Sequence, residues 1–345
     1  MDRAVAVFLW LAVTAYALTG GADFGGGIWD LLAGGPRRGM AVRALIDDSI
    51  NPVWEANHVW LIIDLVILWT AFPPAFAAIT STLFVPLSLV ALGTLLRGSG
   101  FALRKLVRGV TLQTVTGGVF ALSSVITPLF LGAAVGAIAT GRVPATGTGG
   151  EISSWTSPTS WLLGALAVSA FAYLAAVYLV NEARRRDLPE LERYFRIRAL
   201  VAAVVTGAVG GASLVYLHTS APRTFHNLVE GRGLPLFAAS VVLGGAAVVL
   251  LLARRSKIVR PVAAGAFAAM IWGWGAAQYP YLLPRSMTLM AGAAPQATLV
   301  AETVVVGAMV LLLVPSFLYL FRLAAKGRLT EEGLGAGATI GGGEH

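Results

Sequence analysis

Nine apolar segments, each long enough to cross a bilayer, recur along this chain of 345 residues and constrain its fold more than any other feature. A bilayer core is about 30 Å thick, so a spanning helix needs roughly 20 mostly apolar residues at about 1.5 Å rise each. The segments are 4-22, 53-71, 75-96, 112-139, 160-180, 199-218, 235-253, 262-283 and 298-321. The fourth is long enough to tilt, or to bend at Pro128. The stretches between spans leave no room for a soluble domain. The expectation is an all-α polytopic membrane protein with nine transmembrane helices, one unit over 1-325, and a Gly-rich tail over 326-345 that is disordered. Cys is absent, which excludes disulfides, thiolate catalysis, iron–sulfur ligation and Cys-based zinc sites.

The net charge of +8 would suggest nucleic acid if the basic residues formed one face. They fall in alternate loops instead. One set of loops holds 20 Lys and Arg, including Arg37, Arg97, Arg184, Arg254 and Arg322; the other holds Arg3, Arg142, Arg223, Arg232 and Arg285, and no basic residue is left within a span. The positive-inside rule then places the C-terminus in the cytoplasm and the N-terminus outside. No contiguous basic face with interleaved aromatics is present, so nucleic acid is not an expected partner. The expected setting is a cell membrane, with the lipid bilayer as solvent. The first segment does not read as a signal peptide, for it lacks both a strong positive n-region and an A-x-A site.

An ionisable group inside a span costs several kcal/mol unless paired or wetted, so each is a functional candidate. Asp23, Glu55, Asp64 and Glu302 lie within or at the edge of spans, and His58 is the one His well inside. The second span opens SINPVWEANHVWLIID. On a helix Asn51, Glu55, His58 and Ile62 fall within about 60° of one another, at about 100° per residue, with Trp60 and Asp64 towards the opposite side. By the topology above, Glu55 lies about one turn in from the cytoplasm and His58 about two. Either these groups pass protons inward, or they bond each other or a loop arginine such as Arg97. Conduction is the better reading for Glu55, the bonded role for His58. Asp64 is protonated, faces a partner chain, or is hydrogen-bonded, and the sequence leaves all three open. A lone His with no second ligand facing it does not make a haem site, so no cofactor or metal is expected on this chain alone.

The run TGGADFGGGIWDLLAGG follows a membrane helix rather than a strand and lacks the residues that complete a phosphate fingerprint. Close packing or a helix break, with Asp23 held among backbone groups, is the expectation there. Gly132 with Gly136, and Gly207 with Gly211, make small-xxx-small faces. Trp10, Trp29, Trp54, Trp155, Trp161 and Tyr279 near span ends are interfacial anchors. QYPYLLP at 278-284 closes the eighth span, and Glu302 is expected to pair with Arg285 as a structural contact.

GGADFGGGIWDLL at the first span, SINPVWEANHVWLI opening the second, TAFPPAFAAI between second and third, and RGSGFALR after the third resemble subunit II of the cytochrome bd-type quinol oxidases. WEANHVWLI is similar to the cyanide-insensitive branch. The resemblance is strongest over 16-104. It implies two four-helix bundles (about 4-139 and 160-283) plus a peripheral ninth helix, paired with a haem-bearing subunit I in the bacterial cell (inner) membrane; whether a small accessory subunit joins them the sequence leaves open. In that family subunit I carries two b-type haems, one d-type haem and the quinol-oxidising loop. Subunit II supports it and supplies part of the cytoplasmic proton path. By position, Trp54 and Glu55 match the Trp-acidic pair at the path's mouth, Asp23 an acidic position in the Gly-rich turn, and Arg97 an arginine after the third span. Gly20 stands where some members have a second acidic residue, and Asp64 and Glu302 match no family pattern. The rival from another class is a secondary transporter, which would show matching broken spans in two halves; this chain has one polar-rich span and an odd count. A scaffold subunit with no share in proton transfer is the other alternative.

Overall fold

The computed structural model describes residues 1–35, 39–50, 54–106 and 110–325, and their side chains apart from those of 50, 54–56, 101–106, 110–115, 256, 321 and 324–325. The elements in order are α1 (Asp2–Leu31), α2 (Met40–Ile50), α3 (Trp54–Ala71), α4 (Pro73–Thr82), α5 (Phe84–Leu106), α6 (Val110–Ala139), α7 (Pro158–Arg185) and α8 (Pro189–Ser220). They continue with α9 (Pro222–Val229), α10 (Leu234–Leu252), α11 (Ser256–Gln278), β1 (Tyr281–Leu283), β2 (Met287–Thr288), α12 (Leu289–Gly292) and α13 (Gln296–Ala325). The expected tail over 326-345 lies outside the described residues.

Among the described residues seven helices are long and apolar enough to cross a membrane, or eight if the bent pair α3 and α4 counts as one span. The protein is therefore all-α and polytopic, with seven or eight candidate spans. The shortfall from nine falls in one place. The expected spans 53-71 and 75-96 correspond to three helices, α3, α4 and α5, with a bend of 117° between α3 and α4. The sequence sets that bend at TAFPPAFAAI. Pro73 has no N–H to give and excludes the helical conformation from the residue before it, so Phe72 takes φ −135° and ψ 54°. Pro73 then opens α4, where its fixed φ suits the first turn.

The expected span ends shift elsewhere for identifiable reasons. The first span does not stop at residue 22, because the Gly-rich run stays helical to Leu31. Each glycine in a helix interior costs roughly 0.5–1 kcal/mol relative to alanine, and close packing offsets it here. A Cβ on Gly25 would fall on the backbone carbonyl of Phe171 and 2.6 Å from the Ala175 Cβ, so α1 and α7 meet nearly backbone to backbone. Gly25→Val is expected to destabilise the protein by about 1–3 kcal/mol or more through overpacking. A lowered midpoint for thermal loss of the purified protein, relative to the wild type and already visible in Gly25→Ala, is the check.

Gly132 and Gly136 also pack as the sequence implies, against the backbone of Leu163, Gly164 and Ser160 on α7. Gly207 and Gly211 do not, for a Cβ on either would meet nothing within 4 Å. α6 continues through Pro128 as one helix. α7 starts where Ser157 accepts the Ser160 N–H at 3.1 Å, with Pro158 in the first turn. α8 begins at Pro189, so Arg193, Arg196 and Arg198 lie on a helix rather than in a loop.

Two large apolar clusters, and a small one of Tyr16, Phe24 and Phe171, organise the interior. One joins Ile28 and Trp29 of α1 to α2, α7, the start of α8, and Val259 and Ala263 of α11. The other, at the opposite end, joins Val5 and Leu9 to Ile67 and Ala71 of α3, to α4, and to Leu299 and Val306 of α13. Trp29 and Trp155 are buried in these clusters rather than anchoring at an interface, and Trp29 Nε1 donates to the Ala172 carbonyl at 2.8 Å. α11 ends at Gln278, and QYPYLLP forms a two-stranded antiparallel hairpin with β2, in which Tyr281 faces Thr288 and Leu283 faces Met287. Pro280 and Pro284 cannot continue a helix, which is why the expected eighth span stops early.

Candidate functional site

Arg97 is the largest fully buried side chain among the described residues, 1% exposed within α5. The sequence placed it in a loop after the third span, and the structure corrects that. Its Nη2 donates to Asp23 Oδ1 at 2.5 Å and to the Asp23 carbonyl at 2.8 Å, while Nη1 donates to Ser124 Oγ. Ser124 in turn donates to the Phe120 carbonyl at 2.7 Å, one turn back along α6. The guanidinium lies over the Phe120 ring at 4.3 Å and the Phe24 ring at 4.8 Å. Asp23 is thus paired with a side chain from another helix, not held by a backbone break. Gly27 lets this happen, because a Cβ there would overlap Ser124 and crowd Arg97.

α3 runs back along α1 beside this pair. Asn57 Nδ2 donates to the Thr19 carbonyl at 3.4 Å, and further along Ile67 and Ala71 join the cluster of Val5 and Leu9. The His58 ring stands 6.4 Å from both the Tyr16 and the Phe24 rings, edge on. Tyr16 shares a face of α1 with Asp23, and Asp64 shares with Asn57 the face of α3 that meets α1. The structure therefore brings Asp23, Arg97, His58 and Asp64 into one polar region between α1, α3, α5 and α6.

Tyr16, Asn57 and Ser124 are members that sequence reasoning missed. A phenol seven residues before Asp23, hence on the same helical face, and an amide seven before Asp64 were the signals that could have found them.

The stripe read from the second span needs a correction. Asn57, Ile63, Ile67 and Ala71 form the buried face of α3, whereas Ile62 is 58% exposed. The stripe leaves this chain's own core at Ile62, although the half-buried His58 still sets its ring edge-on to Tyr16 and Phe24, and Asp64, expected on the far side, lies towards α1. Trp54 and Glu55 open α3, and their side chains lie outside the described ones. No ion pair joins Glu302 to Arg285 among the described residues; Arg285 is exposed in the link between β1 and β2 and Glu302 is half-buried on α13. The basic residues at the end of α7 do pair: Glu182 accepts from Arg185 at 2.6 Å and Arg186 at 2.9 Å, and Arg186 reaches Asp48 of α2 at 2.8 Å.

A polytopic helical protein that seals an arginine–carboxylate pair between its helices belongs to the class of membrane proteins with an internal polar site. The family model for cytochrome bd terminal oxidase subunit II matches residues 1–324, and the chain belongs to that family. It is similar to the cytochrome bd-I ubiquinol oxidase subunit 2 of Escherichia coli (strain K12), at 28% identity over 220 residues, 60% of this chain and 55% of that protein. The match thus spans about half the length of that relative. A putative cytochrome bd menaquinol oxidase subunit II of Bacillus subtilis (strain 168) is 21% identical over 336 residues, 93% of this chain and 95% of that protein. A chain of the bd oxidase from Geobacillus thermodenitrificans shares the fold, with a TM-score of 0.71 at 23% identity, covering 93% of this chain and 98% of that one.

Proposed function

We propose that this chain is the haem-free subunit II of a membrane quinol:O2 oxidoreductase, supporting a haem-bearing subunit I and supplying part of the cytoplasmic proton path for reduction of O2 to water. The observation that carries the proposal is the Asp23–Arg97 pair, fully buried between helices beside Tyr16 and the half-buried His58 and Asp64 in a protein of this family. In this proposal α3 is the second span and α4 with α5 the third, which restores nine crossings and two four-helix bundles, with α13 peripheral. The loops rich in Lys and Arg then face the cytoplasm and the N-terminus faces outward. Glu55, at the cytoplasmic end of α3, receives protons beside Trp54, and His58 stands next inward. The two b-type haems, the d-type haem and the quinol site belong to subunit I.

The stripe of α3 that leaves this chain's core at Ile62 gives subunit I a surface to meet the path. Taking protons from the cytoplasm while quinol releases its own outside builds a proton-motive force without a pump. Affinity purification of this chain from its native membrane in mild detergent is expected to bring down a second polytopic protein showing b- and d-type bands in the reduced-minus-oxidised spectrum. A haem-free chain with no stoichiometric membrane partner contradicts the proposal and favours a transporter.

A further inference from the structure

Among the buried polar atoms that lack a protein partner, five lie on α1, α3 and α5: the Tyr16 hydroxyl, Asp23 Oδ2, Asn57 Oδ1, Asp64 Oδ1 and Arg97 Nε. A buried polar atom left unbonded costs about 1–3 kcal/mol. Buried groups in native proteins bond to protein or to ordered water. Five such atoms in one region share one requirement, hydrogen-bond partners that the chain itself does not supply.

Their order along the helices is regular. Tyr16 and Asp23 are seven residues apart on α1, and Asn57 and Asp64 seven apart on α3, so each pair shares one face two turns apart, about 10 Å. The helices run in opposite directions, with Asn57 beside Thr19. Asp64 therefore lies beyond Asn57 towards the end of α1 that holds Leu9 and Val5, with Tyr16 between it and the Asp23–Arg97 pair. The Tyr16 ring is held in place over Gly20, where an added Cβ would meet ring atoms at 3.1 and 3.3 Å.

Asp23 has a cation against it, while Asp64 has no ion-pair partner among the described residues. A carboxyl at membrane depth without a cation is suited to holding a proton.

We propose that ordered water fills the space between these atoms and that Tyr16 relays protons along it, from the Asp23–Arg97 pair to Asp64, the last carrier in this chain. The phenol both accepts and donates. As its oxygen takes a proton from one water, its own O–H proton passes to the next, so Tyr16 is neutral before and after. The Asp64 carboxylate gains an O–H bond and later releases that proton to an acceptor on the partner subunit. The Asn57 amide, tethered to Thr19 through Nδ2, leaves Oδ1 to accept from the same water.

The proposal rests on the oxidase-subunit function above. Its test uses the intact purified complex and compares Tyr16→Phe, Asp64→Asn and Glu55→Gln for quinol-driven O2 consumption, with the haem spectrum as the control for assembly. The expected result is a fall of about tenfold or more in both Tyr16→Phe and Asp64→Asn, with Asp64→Glu retaining most of the turnover. A high-resolution map of the unaltered complex is expected to show ordered water in hydrogen-bond reach of the Tyr16 hydroxyl and Asp64; this decides the matter where a variant fails to assemble. Wild-type turnover in Tyr16→Phe and Asp64→Asn, or a dry, side-chain-filled space in the map, overturns the relay. If Glu55→Gln alone is slow, only the branch through Tyr16 to Asp64 falls; wild-type turnover in all three removes the proton path itself.

Discussion

Replacing Arg97 by methionine is expected to destabilise the protein by about 3–5 kcal/mol, because it strands the Asp23 carboxylate, 2% exposed, among helices with no cation to face it. Methionine keeps the stem's packing between Phe24 and Phe120, so the loss reports the charge and its bonds to Asp23 and Ser124 rather than volume. The same logic sets the control. Arg97→Met combined with Asp23→Asn removes both charges, and replacing a whole buried ion pair is often close to neutral. The double variant is therefore expected to recover most of the loss. Thermal midpoints of the assembled complex measure both, and a single variant as stable as the wild type would show that the pair contributes no net stability.

Much of the architecture was readable from apolar segment length alone, because a bilayer demands about 20 residues per crossing and leaves few alternatives. Seven of the nine expected spans, all but the second and third, meet a long apolar helix. The ends were less readable. Span length says where a helix can begin to be apolar, but the Gly-rich run stays helical with α7 packed on Gly21 and Gly25 and α6 on Gly27, a tertiary fact. Arg97 was misplaced for a related reason: a lone arginine beside Gly98 and Gly100 reads as a loop, and only its partners on α1 and α6 make burial tolerable. The polar face of α3 was assigned from residues that look functional. Asn57 and Asp64 face α1 because Ile63, Ile67 and Ala71 must reach the core, and that choice between faces depends on which neighbour each face meets. The hairpin at QYPYLLP shows the same limit, since two prolines announce a helix end but not the strand pairing beyond it.

Glu55 carries the central claim. It stands one turn before His58 at the start of α3, and on a helix it shares the stripe that continues to the exposed Ile62. In the proposed path a carboxylate there exchanges protons with the cytoplasm, which an uncharged amide of the same shape cannot do. Glutamine preserves the side chain's length and its capacity for hydrogen bonds while removing the proton it would carry, so a structural role survives Glu55→Gln and a conducting role does not. Proton carriage by a positioned side chain typically contributes about 10²–10⁴-fold, and bypass through water in a partly wetted mouth reduces the observed loss to about tenfold or more. The most direct measurement is steady-state quinol-driven O2 consumption by the purified Glu55→Gln complex, with its haem spectrum recorded alongside. Turnover reduced about tenfold or more with an unchanged haem spectrum is the result that a proton path through this subunit requires. Wild-type turnover in that variant would contradict it and leave this chain a scaffold for its partner.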